Sequence, residues 1–143
     1  MSEVNNFMKI YFAVSIRGGR DLLPLYKKIA DLILAHGHSI TNAHVILDNV
    51  MDRENVMDPL EIYERDMQWM DDADLVIGEV TTTSLGVGYE LGRAVEKKKK
   101  IYCFYNKTKE DSISMMIRGN SRMTVKPYES EGECLSEIMK IIK

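Results

Sequence analysis

The sequence is poor in the features that mark secreted, membrane-bound or metal-binding proteins. Its two cysteines, Cys103 and Cys134, stand in apolar or helical surroundings without the spacing of a metal site, which predicts reduced thiols. Its three histidines do not form a ligand set. No apolar run approaches the roughly 20 residues of a membrane span, and no signal peptide precedes the first predicted strand. We therefore expect a soluble cytoplasmic protein without membrane contact.

The sequence also lacks the excess of positive charge that binding to long nucleic acids requires. The net charge is −3, and 29% of the residues are charged, which gives no attraction for a phosphate backbone. One lysine run, at 97–100, is interpreted as the solvated end of a helix, where cations suit the dipole. With 143 residues the chain is long enough for one domain, 1–143, and too short for two. Residues 1–8 are polar and are expected to be flexible.

The spacing of apolar residues predicts strands and helices that alternate along the chain. The predicted strands cover 9–15, 39–45, 75–80, 101–105 and 123–128, and the predicted helices cover 21–36, 59–71, 87–98, 112–118 and 132–143. Gly37 is expected to end the first helix, whereas the polar, acidic segment 48–58 is predicted to be a loop. The alternation implies a single-domain α/β fold. Its core is a doubly wound, five-stranded parallel sheet, Rossmann-like or flavodoxin-like, with helices on both faces.

Ligands of such sheets bind at the carboxyl ends of the strands, where the loops after the first and third strands open. The first of these loops, SIRGGR at 15–20, combines a hydroxyl, two glycines and two guanidinium groups before a helix. That combination suits a phosphate, and a plain turn with exposed arginines is the alternative. The Gly-Lys-Ser/Thr ending of a P-loop is missing. The second strand ends in Asn42-Ala43-His44 rather than in an acid, which disfavours NAD.

Three side chains suited to glycosidic chemistry belong to the elements around these loops. Glu90 is predicted at the rim of the apolar stripe of a helix. Glycines at 86, 88 and 92 weaken that helix by about 1 kcal/mol each and are interpreted as room for a ligand. Stabilisation of Glu90 by the helix dipole alone is the simpler alternative. With Asp66 and Tyr11, Glu90 forms a set typical of glycosidases: a carboxylate nucleophile, an acid for the leaving group and an orienting hydroxyl.

The motifs that carry these residues resemble those of a known family. IYFAVSIRGGR, HVI, ERDMQWMDDADLVIGEV, SLGVGYELGRAV and SMMIRG are similar to motifs of the 2′-deoxynucleoside 5′-phosphate N-hydrolases, relatives of the nucleoside 2-deoxyribosyltransferases. The resemblance runs from Lys9 to Tyr128 in the same motif order. It implies hydrolysis of the N-glycosidic bond of a deoxynucleoside monophosphate, without a metal or an organic cofactor. Val14, where such hydrolases often carry a smaller residue, and the segment 48–58 depart from the pattern.

The resemblance also implies a role for each candidate residue. Glu90 would form a covalent deoxyribosyl intermediate, Asp66 would protonate the departing base, and Tyr11 would position Glu90 or the sugar. The family pairs its subunits, which implies a homodimer with shared active sites. The implied substrate-binding and phosphate-binding residues are Ser15, Ile16, Arg17, Gly18, Gly19, Tyr26, His44, Ser84, Gly86, Met116 and Ser114 of the partner subunit.

Two other functions stay open on the sequence alone. A deoxyribosyltransferase is similar in sequence, but such relatives carry an acid six residues before the glutamate, where this chain has Ser84. A carboxylate there would repel a phosphate, whereas a serine donates a hydrogen bond to it. A non-catalytic nucleotide sensor uses the same kind of fold but has no need for the three candidate catalytic side chains. A phospho-acceptor receiver domain is disfavoured, because the first strand lacks the acidic pair of such a site.

Overall fold

The computed structural model describes residues 6–143, which form alternating strands and helices. The strands are β1 (Lys9–Ala13), β2 (Ser39–Ile40), β3 (Leu75–Glu79), β4 (Lys100–Asn106) and β5 (Thr124–Tyr128). The helices are α1 (Leu23–Ala35), α2 (Val50–Asn55), α3 (Pro59–Asp72), α4 (Leu85–Glu96), α5 (Met115–Arg118) and α6 (Glu131–Ile142). Two 3-10 helices, Ala43–Ile46 and Lys107–Ser112, lie between them.

All neighbouring strands pair in parallel, in the order β2-β1-β3-β4-β5. Successive residues of a strand point to opposite faces, and the core divides accordingly into two layers. The layer that contains Ile10, Phe12 and Ile77 is covered by α1 and α6. The layer that contains Tyr11 and Val76 is covered by α3 and α4. The predicted fold is therefore confirmed: a five-stranded, doubly wound parallel sheet with helices on both faces.

The second strand is shorter than predicted, because a side chain takes over its pairing with β1. The carboxamide of Asn42 accepts a hydrogen bond from the backbone N–H of Phe12 at 2.8 Å and donates one to its carbonyl at 2.7 Å. The chain then turns into the 3-10 helix Ala43–Ile46. Val45, predicted at the end of the strand, is buried instead from that helix. Its apolar character reflects contact with the core and not a place in the sheet.

The segment 48–58 was wrongly predicted to be a loop, since it contains α2. Val50 and Glu54, four residues apart on this short helix, are both buried, with 0% and 6% of their surface exposed. The sequence does not indicate this helix, because one of its two inward-facing positions carries a carboxylate. Acidic residues are almost never fully buried unless they are paired, so the pattern had no recognisable apolar face.

The flexible start predicted at residues 1–8 falls mostly outside the described part of the chain, except for its last residues. The backbone N–H of Met8 donates to Nδ1 of His38 at 3.1 Å, and Met8 packs against the core beside α1. Nε2 of His38 lies 2.5 Å from the carbonyl oxygen of Ile142. Met8 is thus held in the fold. Gly37 ends α1 with a φ of +85°, as predicted. Within residues 6–143, no helix is long and apolar enough to cross a membrane.

Candidate active site

The three predicted catalytic side chains come together between β1, α3 and α4. The hydroxyl of Tyr11 faces the carboxyl of Glu90, and both interact with the charge of Asp66. Burial raises the pKa of Glu90 to about 8, the negative charge of Asp66 adds to this rise, and a hydrogen bond from Tyr11 opposes it. Burial and then the charges of Glu90 and Asp66 raise the pKa of Tyr11 above its usual range. Two carboxyls and a phenol therefore share one poorly solvated space.

Asp66 is surrounded by a network that we call the Arg65 cluster: Arg65, Glu54, His44 and Trp69. Arg65 donates from Nε to Oδ1 of Asp66 at 3.0 Å and from Nη2 to Oε2 of Glu54 at 2.5 Å. Its guanidinium carbon lies 4.6 Å from the ring centroid of Trp69. Nε2 of His44 lies 3.1 Å from the same oxygen of Glu54. Burial raises the pKa of Asp66, while the hydrogen bond and charge of Arg65 oppose that rise.

The candidate phosphate loop at 15–20 is rigid rather than a simple exposed turn. Its two arginines, Arg17 and Arg20, have different contacts. Arg20 donates to the backbone carbonyls of Ser15, Val45 and Leu47 at 2.7 to 3.1 Å, so its role is structural. Arg17 donates to Oδ1 of Asn55 at 2.9 Å, on an exposed edge. Of these two arginines, Arg17 is therefore the one that a phosphate could reach.

The loops after β1 and β3 touch each other. A side chain at Gly18 would place its Cβ 2.1 Å from the carbonyl oxygen of Thr83, so only glycine permits this contact. Gly19 has a φ of +143°, a conformation that side chains rarely adopt. The hydroxyls of Ser15 and Tyr26 are buried without a hydrogen-bond partner among the residues of the described chain. Burial and the charge of Glu79 raise the pKa of Tyr26 to about 12.

Ser84 begins α4 as its N-cap. Its hydroxyl accepts a hydrogen bond from the backbone N–H of Val87 at 3.3 Å, and the first turn of α4 contains no acid. The amino end of α4 therefore keeps free N–H groups and a positive dipole end for an anion. A side chain at Gly86, in this first turn, would meet only Ser84 Oγ, 3.8 Å away. Ile16, from the facing loop, is half-buried.

The other glycines of α4 stand on the side of the helix away from Glu90. At 100° per residue, Gly88 and Gly92 lie about 160° around the helix from Glu90, so they open no space beside it. Gly88 lines a cavity of about 470 Å³ with Ser84, Ser114 and Met116. Glu90 does not line this cavity. Within one chain, the structure thus leaves Ser114 and Met116 away from the candidate nucleophile.

A second cavity, of about 570 Å³, opens between the phosphate loop and the helices α2 and α3. Arg17, Glu54, Asn55, Ile62 and Tyr63 are among its lining residues. It joins the predicted phosphate side to the Arg65 cluster. Asp66, Tyr11 and Glu90 are not among its lining residues.

Comparison with known proteins identifies the family. The family model described as nucleoside 2-deoxyribosyltransferase matches residues 10–128. The chain belongs to the nucleoside 2-deoxyribosyltransferase family. A protein of Nematostella vectensis named "Putative 2'-deoxynucleoside 5'-phosphate N-hydrolase 1" is 43% identical over 128 residues, 86% of each chain. The 5-hydroxymethyl-dUMP N-hydrolase of Danio rerio is 43% identical over 115 residues, 80% of each chain.

Relatives from other sources agree with this family assignment. The 5-hydroxymethyl-dUMP N-hydrolase of Homo sapiens is 43% identical over 129 residues, which are 87% of this chain and 73% of the human protein. A solved structure of a CMP N-glycosidase from Clostridium botulinum superposes with a TM-score of 0.72. The superposition covers 93% of this chain and 98% of that one at 19% identity, which shows the shared fold.

Two residues of this candidate site are not indicated by the sequence. Glu54 was hidden in the segment predicted to be a loop, and Arg65 was passed over beside Asp66. Each has only a weak signal in the sequence, since no apolar periodicity marks either residue. Val50 and Glu54 have the spacing of one helix face, and Arg65 stands next to a candidate acid whose charge needs a partner.

Proposed function

We propose that this chain hydrolyses the N-glycosidic bond of 2′-deoxynucleoside 5′-monophosphates, releasing the free base and 2-deoxyribose 5-phosphate. It is a glycosidase, as the N-hydrolase names of its relatives indicate. The observation that carries the proposal is the convergence of Tyr11, Asp66 and Glu90 in one poorly solvated space. A nucleotide sensor has no use for two carboxyls so close that the charge of Asp66 raises the pKa of Glu90.

In the first step, a carboxylate oxygen of Glu90 attacks the anomeric carbon of the deoxyribose. The bond from that carbon to the base nitrogen breaks, its electron pair goes to the base, and Asp66 supplies the proton that the base takes up. The product is a covalent deoxyribosyl ester of Glu90. The Tyr11 hydroxyl lowers the pKa of Glu90 and so favours the ionised carboxyl that this step needs. The positive charge that develops on the sugar ring stabilises the carboxylate further.

In the second step, the Asp66 carboxylate takes a proton from a water molecule. The resulting hydroxide attacks the same anomeric carbon, and Glu90 leaves as a carboxylate. Two displacements at one carbon give net retention of configuration. A deoxy sugar suits this route, because no 2′-hydroxyl withdraws electrons from the neighbouring carbon as its positive charge develops.

Four groups on the two facing loops recognise the 5′-phosphate in this proposal. They are the backbone N–H groups of the 15–20 loop, the Arg17 guanidinium, the Ser84 hydroxyl and the amino end of α4. Support comes from the contact between Gly18 and the carbonyl of Thr83, which brings the two loops together. Ser84 also separates the hydrolase from its transferase relatives, since a neutral hydroxyl accommodates a phosphate and a carboxylate repels it.

We also propose a two-fold homodimer in which Ser114 of the partner subunit completes each phosphate site. Large apolar side chains around the 470 Å³ cavity support this proposal, because they are exposed in the single chain. Leu85 has 95% of its surface exposed, Met115 has 75% and Met116 has 83%. Patches of this kind on one edge of a domain mark contact surfaces, and methionine adapts well to them.

A substrate panel tests the proposed activity. The protein is incubated with the four deoxynucleoside monophosphates, 5-hydroxymethyl-dUMP, the matching ribonucleotides and the unphosphorylated deoxynucleosides, and free base is measured. We expect release from deoxynucleoside monophosphates only, and none from Glu90→Ala, which should still bind the nucleotide. A second free base in the mixture tests for the transferase. Transfer to that base in preference to water, or equal kcat/KM for deoxynucleosides, would contradict the proposed hydrolase.

A further inference from the structure

Glu54 is a buried carboxylate that the proposed reaction does not use. Only 6% of its surface is exposed, although it belongs to a short helix on the outside of the sheet. A carboxylate in such a place is costly unless charged partners compensate for the lost water. Its partners are Arg65 at 2.5 Å and His44 at 3.1 Å, both through Oε2. Glu54 therefore depends on the same guanidinium that contacts the candidate acid.

Arg65 contacts the carboxyls of both Glu54 and Asp66, at unequal distances. Its 2.5 Å bond from Nη2 to Glu54 is 0.5 Å shorter than its contacts with Oδ1 of Asp66, which Nε and Nη2 both make at 3.0 Å. The face of its guanidinium lies against the ring of Trp69, which restricts its rotation. Arg65 thus contacts Asp66 through Oδ1 and shares its Nη2 with Glu54, whereas a parallel pair would engage both carboxylate oxygens of Asp66.

The charged groups that face Asp66 act on it in opposite directions. Arg65 and His44 favour its ionised form, while burial and the negative charge of Glu54 favour its protonated form. Asp66 in turn favours the protonated form of Glu90, and it raises the pKa of Tyr11. Removal of the Glu54 charge would leave Arg65 free to pair fully with Asp66. The loss of the Glu54 charge and the closer pairing with Arg65 would both lower the pKa of Asp66.

We propose that Glu54 is a positioning residue that draws Arg65 away from Asp66, so that Asp66 keeps the proton which the departing base must receive. The proposal rests on the proposed hydrolase mechanism for its kinetic consequence, but not for the charge competition itself. It also accounts for the structure of the 48–58 segment. α2 is formed around Val50 and Glu54, and it brings the second carboxylate to Arg65.

The test compares pH profiles of kcat for the wild type and Glu54→Gln. The amide keeps the size of the side chain but not its charge. Asp66 should then lose its proton at lower pH, so the alkaline limb of the profile should move toward lower pH. We expect kcat to fall about tenfold on the alkaline side of the wild-type optimum and to stay within about threefold on its acid side. Arg65→Met should move the limb toward higher pH, because it removes the competing cation from Asp66.

Asp52→Asn is the matched control. Asp52 is exposed on the same helix, so its substitution removes a negative charge of α2 without touching the Arg65 cluster. It should leave the profile unchanged. A loss of kcat in Glu54→Gln that is equal at every pH would assign Glu54 a purely structural role and overturn the inference. An equal shift in Asp52→Asn would overturn it as well.

Titration of the carboxyl carbon of Asp66 by NMR measures the competition without turnover. In Glu54→Gln, the midpoint for Asp66 should move to lower pH than in the wild type, and in Arg65→Met to higher pH. An unchanged midpoint in both variants would refute the inference even if the protein is an active hydrolase. The expected shifts in a protein that hydrolyses none of the panel substrates would support the charge competition while the proposed function fails.

Discussion

The hydroxyl of Tyr11 on β1 faces the carboxyl of Glu90 on α4, and the two groups affect each other's protonation in opposite directions. The Tyr11 hydrogen bond lowers the pKa of Glu90, whereas the charge of Glu90 raises the pKa of Tyr11. Tyr11 therefore stays protonated and continues to donate. Burial still dominates Glu90 and leaves its pKa at about 8. The site therefore holds the carboxyl of Glu90, the candidate nucleophile, in surroundings that disfavour its charged form.

This arrangement predicts that Glu90 weakens the fold at neutral and alkaline pH. Its pKa is about 8 in the folded protein and 4.5 in an unperturbed glutamate. Between these values the folded state binds the proton more tightly than the unfolded state, so stability falls as pH rises through this window. Glu90→Gln lacks that loss and can still accept from Tyr11. We expect it to increase the free energy of unfolding by about 1–3 kcal/mol near pH 8 and by much less near pH 5.

Urea unfolding of wild type and variant at the two pH values measures the difference. Glu64→Gln is the control, because Glu64 is an exposed glutamate of the neighbouring helix α3. It should change stability little at either pH. A Glu90→Gln protein that is less stable than the wild type at pH 8 would show that Glu90 contributes to the fold as an ion.

Substitutions of Ser84 can distinguish its role in binding a phosphate from its role as the N-cap of α4. Ser84→Asp should still cap α4, since aspartate accepts from the same backbone N–H groups and suits the dipole. Its charge should repel the 5′-phosphate, so KM for deoxynucleoside monophosphates should rise about tenfold to hundredfold while the melting temperature holds. Ser84→Asn, a neutral cap, should change KM far less. Equal KM values for the two variants would argue against a phosphate at the amino end of α4.

Much of this site was predictable because the residues that carry it follow regular patterns. Tyr11 stands on a buried strand and Glu90 on an amphipathic helix, and parallel strands put their ends at one sheet edge. The Arg65 cluster was not predictable in the same way. Glu54 is buried through ion pairs with residues on other elements, and no local periodicity reveals such pairs. Asn42 likewise ends β2 through a side-chain contact with Phe12 that only the folded sheet creates.

Gly18 should be required for the contact between the loops after β1 and β3. In Gly18→Ala the new methyl group would meet the Thr83 carbonyl at 2.1 Å, so one loop must move. We expect a higher KM for the substrate and a loss of about 1–3 kcal/mol in the free energy of unfolding. Gly132→Ala is the control, because its methyl group would meet nothing closer than 3.9 Å at the start of α6. Wild-type KM in Gly18→Ala would show that the two loops do not hold the phosphate together.

The proposed shared site predicts that two inactive subunits restore activity when they are combined. Glu90→Ala removes the nucleophile of its own subunit, and Ser114→Trp blocks the phosphate site of its partner. In a mixed dimer, one site has an intact Glu90 from one chain and an intact Ser114 from the other. Random pairing of equal amounts makes half of the dimers mixed, so about a quarter of wild-type activity should return.

Ser114→Ala is a smaller change that also tests whether Ser114 contributes to the partner's site. It removes the hydroxyl that accepts from the backbone N–H of Met116 at 3.1 Å, so a cost of about 1 kcal/mol in stability is expected as well as a higher KM. Sedimentation at assay concentration gives the oligomeric state of each variant, and Ser114→Ala should remain a dimer. A fully active wild-type monomer, or no activity from the mixture of Glu90→Ala and Ser114→Trp, would rule out a site shared between subunits. Each chain would then bind its phosphate alone.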